Sequence, residues 1–142
     1  MKKILALVAS LGLAACAGSY PGDHFARINL TGAQEVPPVS TSASGTGRIT
    51  VNDNGSVSGS IATTGVRGTA AHIHQGAKSA NGPVIVPLTK NGDVYSVPAG
   101  AKLNPAQTKA FMEGNLYVNV HSAENKGGEI RAQLAPDDFM LR

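Results

Sequence analysis

His72 and His74 are separated by one residue, and His121 follows in a second stretch of alternating apolar residues. On a β-strand, side chains at i and i+2 share a face, so the two imidazoles of a His-x-His pair stand roughly 6.6 Å apart along the strand. Neutral imidazole is a borderline ligand that suits copper, zinc and nickel. Two nitrogens from one strand and a third from another make a three-histidine set with a further position open for water or another ligand. A ligating imidazole also needs a partner on its second nitrogen, and Asn119 and Glu129 are the candidates for that role. Thiolate or thioether ligands would favour Cu(I). The only cysteine is Cys16, and Met112 and Met140 are remote from the histidines in sequence. All-imidazole ligation therefore points to Cu(II), with zinc as the alternative. The plainer reading is that these histidines sit on a solvated sheet face.

Alternation sets where the histidines must lie. Ala71 and Ile73 alternate with Ala70, His72 and His74, and Leu116, Val118 and Val120 alternate with Tyr117, Asn119 and His121. The apolar sets take the core, which turns all three imidazoles to the outer face of two strands. They converge if those strands are neighbours. Further strands are predicted around Ala26, Ile28 and Leu30, around Ile49 and Val51, and around Val57, Gly59 and Ile61. Asp53-Asn54-Gly55 makes the hairpin turn between the second and third. Residues 84–86, 94–97 and the Ile130, Ala132, Leu134 set complete the series, with a turn at Gly127-Gly128 before the last. One short helix is predicted over 106–113, with Asn104 as N-cap, Pro105 at its first position and Gly114 after its end. Roughly seven or eight short strands with frequent turns read as an all-β Greek-key β-sandwich or barrel.

Three other features have a structural reading. Residues 40–47, rich in Ser, Thr and Gly, read as a loop leading into the second strand. Glu35-Val36-Pro37-Pro38 reads as a rigid extended segment that fixes a strand exit. Glu129 and Arg131 share a face that could flank the histidines, and the simpler expectation is a solvated ion pair.

The N-terminus predicts export. Lys2 and Lys3 precede an apolar run over 4–13, too short for a spanning helix of about 20 residues. Leu13-Ala14-Ala15-Cys16 resembles the lipobox of bacterial lipoproteins. The resemblance implies a signal peptide at 1–15, a lipid on Cys16, a tether over 16–23, one domain over 24–136 and a tail over 137–142. Ala17, where an Asp would imply inner-membrane retention, implies the outer membrane, facing the periplasm. Without Lys2 and Lys3 the chain carries ten basic residues against nine acidic, which gives no electrostatic case for nucleic acid. No nucleophile–base pair, carboxylate dyad at a recognisable spacing or phosphate loop is legible, so the sequence leans away from an enzyme.

Five segments in order resemble the CHRD domain, named after the repeated domain of the animal protein chordin. They are residues 32–39 (Gly-Ala-Gln-Glu-Val-Pro-Pro-Val), 70–76 (Ala-Ala-His-Ile-His-Gln-Gly), Asn81-Gly82, 114–122 (Gly-Asn-Leu-Tyr-Val-Asn-Val-His-Ser) and 127–134 (Gly-Gly-Glu-Ile-Arg-Ala-Gln-Leu). Lys126 stands where the family often has Pro, which touches only a turn. The resemblance implies an extracytoplasmic β domain and supplies no reaction. The histidine trio is also similar to the copper ligands of copper–zinc superoxide dismutase, a Greek-key barrel, by analogy of fold alone. Only His24 remains for further ligands, so a two-metal site cannot be assembled and dismutase activity is not expected. The expected function is a lipid-anchored envelope protein that binds, buffers or transfers a metal. The alternative is a metal-free scaffold that recognises a protein or envelope polymer.

Overall fold

In the computed structural model, residues 22–137 are described. The expected signal peptide, Cys16 with most of the expected tether, and residues 138–142 lie outside the described residues. Alternation builds the walls. β1 (Asp23–Thr31) buries Ala26, Ile28 and Leu30, β2 (Ser44–Asn52) buries Ile49 and Val51, and β3 (Val57–Thr64) buries Val57 and Ile61. β4 (Gly68–Gln75) turns Ala71 and Ile73 inward, and β8 (Leu116–Ser122) turns in Leu116, Val118 and Val120. β5 (Val84–Pro87), β6 (Thr89–Asn91), β7 (Val94–Ser96) and β9 (Ile130–Leu134) complete one nine-stranded antiparallel sheet, ordered β5-β4-β8-β9-β1-β2-β3-β7-β6. The sheet curls into a nearly closed barrel, so the barrel form of the expected all-β architecture is the one adopted. Its core is apolar, and each Leu, Ile or Val buried there contributes about 1.5–3 kcal/mol. No imidazole belongs to that core.

Two details differ from expectation. The 40–47 segment is half strand, because β2 begins at Ser44. A Cβ on Gly47 would lie 2.2 Å from Ser60 O and 2.7 Å from Ile61 Cα, so glycine there permits close strand pairing and does not mark a loop. β6 carries Thr-Lys-Asn, wholly exposed, and so has no apolar period to reveal it. The helix is as expected: α1 (Pro105–Met112) has Asn104 and Gln107 in a reciprocal capping box, and Gly114 follows at φ +70°. No helix among the described residues is long and apolar enough to cross a membrane.

Candidate metal centre

β4 and β8 are direct neighbours, with His72 opposite Asn119, His74 opposite Tyr117 and Ala70 opposite His121. This register brings the three histidines together on the outer face, with one ligand atom of each within 4.8 Å of the others. His72 Nδ1 and His121 Nε2 share a hydrogen bond at 3.0 Å. Nitrogens around a tetrahedral ion with bonds of ~2.05 Å are about 3.3 Å apart, so closure onto a metal needs a contraction of roughly 1.5 Å at the widest pair.

The second nitrogens are engaged by backbone. His74 Nδ1 lies 2.9 Å from Gly82 O, and His121 Nδ1 lies 2.9 Å from Lys126 O. A carbonyl only accepts, so each Nδ1 carries the proton and each Nε2 keeps its lone pair. His74 Nε2 is buried and has no hydrogen-bond partner among the described residues. Burial lowers the pKa of both His72 and His74, and the neighbouring imidazoles lower it further. Neutral imidazoles, the form a metal requires, are therefore favoured at neutral pH.

The outer face is roofed where open solvent was expected. His74 is 7 % exposed, and its ring stacks on Tyr117 with centroids 4.7 Å apart. The Arg131 guanidinium lies 3.5 Å from the same Tyr117 ring. Arg131 donates to Ala77 O, Ala80 O and Asn81 Oδ1, and Gln133 donates to Gly76 O. Together they tie residues 76–82 down over β8 and β9, and Gly82 N donates to the Tyr117 hydroxyl. The roof thus delivers the Gly82 carbonyl to His74. A Cβ on Gly82 would meet Gln75 O at 1.7 Å, so only glycine fits this return of the loop.

The expected solvated Glu129–Arg131 pair is not formed. Arg131 is 1 % exposed and spends its donors on the roof, because three loop oxygens converge on it. Glu129 accepts from Thr41, and hydrogen bonds led by Ser122 hold its carboxyl below the usual range. Asn119 is buried and donates to Gly127 O. The atoms that orient His74 and His121 are carbonyl oxygens from residues 82 and 126. His24 pairs with Asp53 outside the trio.

Glu35 was missed as a site residue. It is 4 % exposed, and its carboxyl turns inward beside Asn119 and Gly128, so the segment before Pro37 does more than guide a strand exit. Burial pushes its pKa up to about 7, against the opposing pull of Arg131 and of hydrogen bonds to Asn119 and Val36. The only sequence signal was its place in the 32–39 segment that resembles the CHRD domain. A cleft of about 290 Å³ opens beside it between residues 35–39 and 124–128.

A family model described as the CHRD domain matches residues 26–134, most of the chain. No curated protein and no solved structure matches it.

Proposed function

The chain belongs to the CHRD-domain family, and we propose that it binds one metal ion, copper with zinc as the alternative, through His72, His74 and His121. The observation that carries this reading is the buried, unpartnered Nε2 of His74. A buried acceptor without a partner costs about 1–3 kcal/mol, and a cation shared with two further imidazoles removes that cost. The backbone carbonyls that fix Nδ1–H on His74 and His121 support the same reading, since they pre-set the ligating tautomers. The apolar core is complete without the site, so the metal is cargo or cofactor and not a folding requirement. With a lipid on Cys16, the domain would hold or hand on metal at the periplasmic face of the outer membrane.

A metal-free scaffold is the competing reading, and the His72–His121 hydrogen bond is what favours it. Calorimetric titration with Cu(II) and with Zn(II) separates the two. The metal reading expects one equivalent bound at sub-micromolar affinity, lost when all three histidines are replaced by alanine. Absence of binding, or binding that survives the triple substitution, leaves the scaffold reading.

A further inference from the structure

Four buried side-chain polar atoms lack a hydrogen-bond partner among the described residues, and three of them belong to one neighbourhood: His74 Nε2, Asn119 Oδ1 and Glu35 Oε1. Their residues are 7 %, 2 % and 4 % exposed. Asn119 stands directly opposite His72 in the β4–β8 ladder and two residues from His121 on the same face. His74 stands opposite Tyr117 and His121 opposite Ala70, so Asn119 shares the outer face with the trio and lies directly across from one of its members.

The direction of the Asn119 amide follows from its surroundings. Nδ2 donates to Gly127 O at 3.3 Å. A Cβ on Gly128 would fall 2.5 Å from Asn119 Nδ2 and 2.3 Å from Glu35 Oε1, so the two side chains meet over the bare glycine. Turning the amide over would set its oxygen against the Gly127 carbonyl, acceptor against acceptor. The Gly127 carbonyl therefore holds the nitrogen on its side, with the Glu35 side chain packed beside it, which sends Oδ1 away from both. There it is sealed from solvent without a donor.

We propose that Asn119 Oδ1 is the fourth ligand of the histidine site, with Glu35 as the positioning residue that keeps it turned there, giving a closed set of three nitrogens and one oxygen. The inference rests on the three-histidine reading and deepens it. A neutral amide oxygen beside three imidazoles suits a divalent ion and offers nothing soft to Cu(I). A site closed by four protein ligands leaves no position for a reactive water, which fits holding and release of the ion better than hydrolytic or redox chemistry at it.

The test loads the full chain with Cu(II) alone and measures the relaxation of solvent water protons, which a copper-bound exchangeable water accelerates. The wild type is expected to show no such water. Asn119→Ala opens the fourth position, gains the water and binds copper about 10–100-fold more weakly. Asn119→Asp keeps an oxygen in place and stays closed. Glu35→Leu frees the amide and moves both readings towards those of Asn119→Ala. Circular dichroism melts check folding of each variant, and if Asn119→Ala does not fold, the wild type and Asn119→Asp decide. A fast-exchanging copper-bound water in the wild type overturns the fourth ligand while leaving histidine-dependent binding intact. No copper binding by the wild type, or binding unaffected by loss of the three histidines, overturns the metal reading and this inference with it.

Discussion

Replacing Glu35 with glutamine should remove a pH dependence of stability with a definite sign. The folded protein raises the Glu35 pKa from 4.5 to about 7, because burial disfavours the carboxylate more than Arg131 and the local hydrogen bonds favour it. The folded state therefore holds this proton more tightly than the unfolded chain. The associated stability is fully present below pH 4.5 and is lost as pH rises through 7. At about 1.36 kcal/mol per pKa unit, the upper bound is roughly 3 kcal/mol. The cleft between residues 35–39 and 124–128 admits solvent on one side, and screening reduces the expected change to about 1–2 kcal/mol. His72 and His74 act in the opposite sense. Their folded pKa values are lowered, so they add stability as pH rises through that of free histidine. Glu35→Gln leaves the histidine contribution in place, so the difference between variant and wild type isolates Glu35. Urea denaturation of metal-free protein at pH 4.5 and pH 8 is the assay. Glu35→Gln should gain about 1–2 kcal/mol relative to wild type on going from the lower to the higher pH. Parallel pH profiles for the two proteins would refute the buried carboxyl.

Arg131→Met should leave Ala77 O, Ala80 O and Asn81 Oδ1 without their donor and cost about 3 kcal/mol, read by thermal melting together with faster amide exchange over residues 76–83. Gly128→Ala should destabilise by about 1–3 kcal/mol, since φ is +133° and the new methyl would press on Glu35 and Asn119. Its metal affinity should fall as well, as calorimetry would show. Asn104→Ala breaks the capping box and should cost about 1 kcal/mol in denaturant titration with metal affinity unchanged, because the box joins only Asn104 and Gln107 and no residue of the histidine trio.

Much of the site was legible because a strand's two-residue period fixes which side each residue takes. Ile73 inward forces His72 and His74 outward, and Val120 does the same for His121. Asn104, Pro105 and Gly114 announced the helix because capping chemistry is local. The roof was not legible. Its order depends on Arg131 reaching carbonyls some fifty residues away in sequence, and carbonyls have no residue type to read. The same limit hid the partners of the imidazoles at residues 82 and 126, and made side-chain acceptors such as Glu129 the natural candidates. Glu35 was hidden because a charged residue beside two prolines normally faces solvent, and only the bare Gly128 makes room for it inside.

The most direct test of a histidine-held metal is the long-range proton–nitrogen NMR spectrum of the imidazoles during zinc titration. The account predicts that His74 and His121 keep the proton on Nδ1 while their Nε2 resonances shift to metal-bound values, together with His72, saturating at one equivalent. Imidazole signals that do not move with zinc, or a shift confined to His24, would contradict it.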